Sequence, residues 1–188
     1  DNLAMRIISG QYRGLTLKTL KGGKLRPTSD QLRETLFDVL GPSIEGTRFL
    51  DAYAGTGAVG MEALSRGAAD VMFIEQHRAA AGLIRQNLAG LKVDSGYWIL
   101  TSSVQDALEK LAGQAEQFDF IFIDPPYDAI REYHQTLRDL GRGRLLTPSS
   151  LVIAEHSRHI ILEEEYVSLR RSRTIRHGDA QLSFYRQA

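Results

Sequence analysis

Apolar residues follow two different periods along this chain, and the two alternate. Arg48–Tyr53, Val71–Ile74, Tyr97–Thr101, Phe118–Ile123 and Leu151–Glu155 are short apolar runs that read as strands of a buried sheet. Between them the spacing becomes helical. One helix runs from the glycine-rich segment 54–60 to about Arg66, where Gly67 stops it, and a second follows Glu75 to about Leu91. A third carries Val104, Ala107, Leu108 and Leu111 on one face, and a fourth carries Ile130, Tyr133, His134, Leu137 and Leu140. Strand–helix alternation with short connections predicts an α/β fold, a doubly wound, mostly parallel, Rossmann-like sheet. The tail departs from this rhythm. Tyr166–Leu169 and Leu182–Tyr185 read as two strands with no helix between them, an antiparallel pair that closes the sheet edge at seven strands. At the other end, Met5–Ser9 and Leu15–Leu20 flank Gly10–Gly14 as a hairpin. Thr28 and Gln31 then have capping-box spacing ahead of an apolar stripe of Leu32, Leu36, Phe37 and Leu40, which ends at Gly41-Pro42. The division expected is a hairpin-and-helix extension over 1–45 and the sheet domain over 46–188.

Composition narrows the classes without choosing among them. At 188 residues, 43% hydrophobic and 24% charged, the chain suits one globular domain with an appendage. No apolar run approaches the ~18 residues of a membrane span. The expectation is a soluble, cytoplasmic monomer with no membrane partner. The absence of cysteine removes disulfides, thiolate zinc sites and any cysteine nucleophile. Lys+Arg and Asp+Glu are balanced at 23 each, so no global field points to a partner. Charge is nevertheless uneven. Before residue 34 the chain carries Arg6, Arg13, Lys18, Lys21, Lys24, Arg26 and Arg33 against only Asp1 and Asp30. Such a segment suits a phosphate-bearing partner, and a solvated hairpin face explains the same charges equally well.

Two strand ends carry candidate chemistry. Asp124-Pro125-Pro126-Tyr127 terminates an almost wholly apolar strand, because proline has no N–H and cannot continue a ladder. It delivers a carboxylate, a proline carbonyl and an aromatic ring to the carboxyl edge of the sheet, where open α/β sheets bind ligands. A plain strand-ending turn is the competing reading. Upstream, Gly55-Thr56-Gly57-Ala58-Val59-Gly60 matches G-x-G-x-x-G between a strand and a helix, with Glu75 twenty residues beyond Gly55. That fingerprint alone admits a nicotinamide dinucleotide. Asp51, directly before Ala52-Tyr53-Ala54, argues for another ligand. A carboxylate there disfavours pyrophosphate but suits an ammonium, and S-adenosylmethionine has an ammonium, a carboxylate and a ribose without phosphate. On this reading glycine N–H groups meet its carboxylate and Glu75 its ribose hydroxyls. Asp51 as a helix cap and Glu75 as an ordinary strand-end acid are the alternatives. Asp106 suits the adenine amine, although Ser103 and Asp106 also have capping spacing.

With Asp51–Gly57 and Asp124–Tyr127 both present, the chain resembles the class I S-adenosylmethionine-dependent methyltransferases that modify exocyclic or amide nitrogens. The segments Arg26–Phe37 and Met61–Ala68 narrow the likeness: they closely resemble the bacterial RsmD family, which methylates N2 of a guanine in 16S ribosomal RNA. The likeness runs from Met5 nearly to the end. Tyr53 stands where that family more usually has Phe, and Gln76-His77 replaces its usual polar-then-Asp pair. The resemblance implies that Asp51, Ala52, Tyr53, Ala54, Gly55, Thr56, Gly57, Glu75 and Asp106 hold the cofactor. It implies that Asp124, Pro125, Pro126 and Tyr127 hold the target base, with Tyr127 stacking for roughly 1–3 kcal/mol, and that no metal is needed. The seven basic residues before position 34 would contact 16S rRNA, within the 30S subunit or an assembly intermediate. Adenine N6, a protein glutamine amide, a nicotinamide-dependent oxidoreductase and a non-catalytic binding module are the other readings. His156-Ser157-Arg158-His159 reads as a solvated strand end rather than a ligand pair.

Overall fold

The structure is a computed structural model that describes residues 5–20, 29–126 and 129–188. Its centre is an eight-stranded sheet of β3 (Arg48–Asp51), β4 (Asp70–Ile74), β5 (Tyr97–Leu100), β6 (Phe118–Ile123), β7 (Leu146–Ser157), β8 (Glu165–Tyr166), β9 (Leu169–His177) and β10 (Ala180–Gln187). The spatial order is β5-β4-β3-β6-β7-β10-β9-β8. The first five of these pair in parallel, and β10 runs antiparallel to both β7 and β9. A separate two-stranded ladder joins β1 (Met5–Arg6) to β2 (Thr16–Leu17).

Helices cover both faces because the strands are apolar on both. On one side α1 (Asp30–Leu40), α2 (Ala58–Ser65) and α3 (Arg78–Gly90) bury Leu36, Phe37, Met61, Ile84 and Leu88 against Phe49, Phe73 and Phe120. On the other, α4 (Val104–Gly113) and α5 (Ile130–Gly141) bury Leu108, Leu111, Leu137 and Leu140 against Leu50, Ile121 and Val152. The predicted doubly wound class holds, with three corrections. The main sheet has eight strands rather than seven, since the two-residue β8 is too short to leave a period. The terminal hairpin is β9–β10, with its first strand at Leu169–His177 and not at 166–169. Helix α1 is capped by Ser29, whose hydroxyl accepts from the Leu32 N–H at 3.1 Å, while Thr28 lies outside the described residues.

The hairpin is not a free appendage. Met5, Ile7 and Leu17 belong to the same core cluster as α1, α2 and β3, so the boundary at 45/46 separates segments of sequence rather than two cores. The turn at Gly10 lies directly on the end of α2: the Gln11 N–H donates to the Ser65 carbonyl at 2.8 Å. A Cβ at Gly10 would stand 1.9 Å from that same carbonyl oxygen, so only glycine fits.

Candidate functional site

The sheet reverses its winding between β3 and β6, and the ends of β4, β3 and β6 lie side by side there. This is the topological switch point at which α/β sheets bind ligands. Asp51 is the last residue of β3, opposite Phe73 on β4 and Phe122 on β6. Glu75 follows β4 by one residue and Asp124 follows β6 by one. At about 4.8 Å per strand, the three acids span roughly 10 Å along one edge.

Asp51 is 1% exposed. Its Oδ2 accepts the Gly60 N–H at 3.0 Å, capping the third residue of α2 from the preceding strand. Burial pushes its carboxyl up to about 7, the Gly60 bond opposes the shift, and the nearby Glu75 charge adds to it. A carboxylate held in this condition is short of a cation. The ammonium expected from the sequence and the cap offered as its alternative are therefore compatible: one oxygen caps, and among the described residues no cation pairs with the charge. Glu75, 9% exposed, orders the loop beneath it. Its Oε1 accepts from Gly55 N–H at 3.0 Å and its Oε2 from His77 N–H at 2.8 Å. Each oxygen keeps a second lone pair, so both can also accept from vicinal hydroxyls.

The loop from Ala52 to Gly57 is tied into the sheet at both sides. Ala52 N–H donates to Phe122 of β6 at 3.0 Å and Ala54 N–H to Ile74 of β4 at 2.9 Å. Gly55 and Gly57 have φ of 56° and 82°, the left-handed region glycine tolerates. A Cβ at Gly55 would meet nothing within 4 Å, so that side of the loop is open. At Gly60 it would stand 2.3 Å from the Phe73 ring, so this glycine lets α2 approach β4. The Asn87 amide on α3 is buried and joins loop to hairpin. Its Nδ2 donates to the Thr56 carbonyl at 3.2 Å and the Lys18 carbonyl at 3.1 Å, and its Oδ1 accepts from Lys18 N–H at 2.7 Å.

Two assigned cofactor contacts are modified by the geometry. The Tyr53 hydroxyl lies 2.8 Å from Thr136 Oγ1 on α5, so its ring is engaged with the α5 face and only its backbone belongs to the loop. Ser103 caps α4 by accepting from the Asp106 N–H at 3.2 Å, which places the exposed Asp106 in the first helical turn.

At the end of β6, Asp124 is half-buried, Pro125 buried and Pro126 exposed. The Pro126 carbonyl accepts from Ala129 N–H at 2.9 Å, a turn that starts α5. Tyr127 lies outside the described residues, so its stacking role stays a sequence expectation. Below the turn is Tyr133, which periodicity marked only as core. Its hydroxyl donates to the Glu155 carbonyl at 2.5 Å, and burial, then the Asp124 charge, raise its pKa. A tyrosine on the inward stripe of the helix that follows the Pro-Pro turn was the available signal.

Among the basic residues, Arg6, Arg13 and Lys18 are exposed on the hairpin, and Lys21, Lys24 and Arg26 lie outside the described residues. Arg33 is a correction. It is 0% exposed, donates to the Arg6 carbonyl through Nη2 and places Nε 3.8 Å from Glu62 Oε1. Burial pulls its pKa down against the pull of Glu62 and Asp30. It is an internal tie between α1, α2 and the hairpin and has no face to offer RNA. Its position was readable, three and four residues before Leu36 and Phe37 on the apolar stripe. His156, expected in solvent, is also buried: Nδ1 donates to the Ser157 carbonyl at 2.9 Å and Nε2 accepts from the Ser183 hydroxyl at 2.8 Å. No group of three or more His, Cys, Asp or Glu suited to a metal ion occurs among the described residues.

The family model described as "Conserved hypothetical protein 95" matches residues 5–186. "Putative rRNA methyltransferase YlbH" of Bacillus subtilis is 32% identical over 97% of this chain and 99% of its own. "Ribosomal RNA small subunit methyltransferase D" of Haemophilus influenzae is 35% identical over 90% of this chain and 89% of its own. The solved structure "Putative methyltransferase yhhF from Escherichia coli" superposes with a TM-score of 0.82 at 34% identity and covers 98% of both chains. With that agreement over nearly its whole length, and with its acids and glycines gathered at the switch point, the chain belongs to the RsmD family of ribosomal RNA methyltransferases.

Proposed function

We propose that this enzyme transfers a methyl group from S-adenosylmethionine to the exocyclic N2 of a guanine in 16S ribosomal RNA, within the small subunit or an assembly intermediate. The observation that carries the reading is the pairing of a buried, cation-deficient Asp51 with the Asp124-Pro125 strand end on the adjacent strand. Asp51 and Glu75 fit the ammonium and the ribose hydroxyls. The open side of Gly55 and the first turn of α2, whose leading N–H groups have no intrahelical partner, fit the carboxylate. When bound, the sulfonium supplies an electrophilic methyl group.

The remaining chemistry belongs to the base. The lone pair of a guanine N2 is delocalised into the ring and attacks poorly. Asp124 carboxylate and the Pro125 carbonyl both accept hydrogen bonds, so together they hold the two N–H bonds and favour a pyramidal nitrogen. The lone pair would then face the ends of β3 and β4, where Asp51 and Glu75 would hold the donor. Neither acceptor needs to remove a proton first, because the nitrogen becomes strongly acidic once methylated. Most of the acceleration then comes from alignment. Tyr133, hydrogen-bonded beneath the turn, holds α5 against the end of β7 and so steadies Asp124.

Incubation with labelled S-adenosylmethionine and 30S subunits, naked 16S RNA or DNA, followed by nucleoside digestion, should place the label in N2-methylguanosine. Label in N6-methyladenine, or none in RNA, would refute the assignment. Asp124→Ala should lower methyl transfer by about 10²-fold or more while cofactor affinity is retained. Wild-type turnover in that variant would remove Asp124 from the mechanism.

A further inference from the structure

Beside the candidate active site, the C-terminal strands form a second concave surface. A cleft of about 440 Å³ opens there, and its charge is one-sided: Arg158, Arg171, Arg173 and Arg176 line it against the single acid Glu164. Arg171 is ion-paired with Glu164, and Arg158 lies 3.4 Å from Asp179. Arg173 and Arg176 are exposed and make no ion pair among the described residues. The floor is polar and fixed. His156 and Gln181 are buried, and both reach the Ser183 hydroxyl, at 2.8 and 3.5 Å. Burial lowers the His156 pKa, which keeps the floor neutral at pH 7 and leaves the arginines to set the potential.

Its position matters as much as its charge. In the parallel β6–β7 register Ile123 stands opposite Ala154, so Asp124 is level with Glu155 and the next residue along is His156. His156 is opposite Gln181, and Gln181 is opposite Arg176. The row His156–Gln181–Arg176 therefore lies at the edge that carries Asp124, and Arg176 is three strands away, roughly 14 Å at the usual strand spacing. The Tyr133 ring, under Asp124, meets the His156 ring edge-on at 6.1 Å.

Arginines on a near-edge strand also discourage sheet-to-sheet association. That function needs charge along β9 and does not need a cleft. It leaves unexplained why Arg158, from the connection after β7, converges on the same space as Arg176 over a neutral hydrogen-bonded floor. Guanidinium groups in such an arrangement match phosphate oxygens, and an unpaired guanidinium at the substrate edge is available to one.

We propose that this cleft binds the phosphodiester backbone of the substrate RNA next to the target nucleotide, so that the RNA is held on both sides of the base, by the N-terminal hairpin and by β9. The inference rests on the RNA-methyltransferase reading. It is tested on the full chain with the double variant Arg158→Ala/Arg176→Ala and the control Lys110→Ala/Arg138→Ala, whose exposed side chains lie in the last turns of α4 and α5 and do not line the cleft. Two readouts are taken: the affinity of a 16S RNA fragment across a salt series, and methyl transfer to 30S subunits with KM and kcat separated. Each lost phosphate contact lowers the slope of log affinity against log salt by about 0.7–0.9, so the cleft variant should lose about 1.5 in slope while the control keeps it. KM for RNA should rise, with kcat and cofactor affinity unchanged. An unchanged slope, or an equal drop in the control, overturns the proposal. Failure of the wild-type enzyme to methylate RNA would instead count against the function, and the binding series would still decide the cleft.

Discussion

Asp51 shows how one side chain proposed to meet the ligand also serves the fold, at a cost to stability. Its carboxyl is raised from 3.8 to about 7, so the folded protein favours the protonated form. A raised acid contributes stability at low pH that is lost as pH rises through the folded value. Asp51→Asn keeps an oxygen for the Gly60 N–H and removes the buried charge. It should therefore raise the melting temperature at pH 8 and barely alter it at pH 4, while cofactor binding disappears. Scanning calorimetry at both pH values checks this, and a variant less stable than wild type at pH 8 would refute it. Cofactor binding, by the same sign, needs the ionised acid. Affinity should weaken about tenfold per pH unit below 7, since one unit is 1.36 kcal/mol, with proton release visible in calorimetry across buffers of different ionisation heat. Gly60 is the steric counterpart. Gly60→Ala drives a methyl into the Phe73 ring and should cost about 1–3 kcal/mol in denaturant unfolding.

At the scale of elements, the hairpin is held to the sheet domain by buried polar groups rather than by β-ladder. Glu62 on α2 accepts from Ile8 N–H at 2.8 Å and faces Arg33, which in turn holds the Arg6 carbonyl. Burial raises the Glu62 pKa, and the Ile8 bond and the Arg33 charge oppose the rise. Glu62→Gln leaves the buried Arg33 guanidinium with only the exposed Asp30 carboxylate, 3.0 Å from Nη2, as a counter-charge, which should destabilise the fold by about 3 kcal/mol. Equilibrium unfolding measures this, and a loss within the error of the measurement would mean that the pair is dispensable. Asn87→Ala acts differently. It leaves the Lys18 N–H and both carbonyls without their amide, so amide exchange at Lys18 should quicken and cofactor affinity fall together. Neither Glu62 nor Asn87 was singled out in advance. Glu62 was visible as the one charged residue in α2, whereas nothing in sequence pairs Asn87 with residues 31 and 69 positions away.

For the whole molecule, the proposed RNA contacts fall in two regions of exposed basic residues, the hairpin and the cleft on β9. Arg6→Ala, Arg13→Ala and Lys18→Ala combined should reduce the salt slope of RNA binding by about 2–3, independently of the cleft arginines. Filter binding across salt tests it, and an undiminished slope would reduce the hairpin to a structural role. The alternation of apolar runs and helical stripes made the α/β class and most element bounds legible, because each strand and helix buries its own face and so carries its own period. The fingerprint spacing from Gly55 to Glu75 and the Asp124–Pro126 strand end were legible for the same reason: they are local to a strand end, and strand ends are where ligands sit. What the chain by itself did not disclose depends on contacts between distant segments. Strand β9 has too few apolar residues to show a period, and it is a strand because β10 offers it hydrogen-bond partners. Arg33 and His156 are polar residues whose burial is set by Glu62 and Ser183, far away in sequence. Sequence determined which groups reach the sheet edge; the tertiary structure alone decided which of their charges stay buried and which face outward.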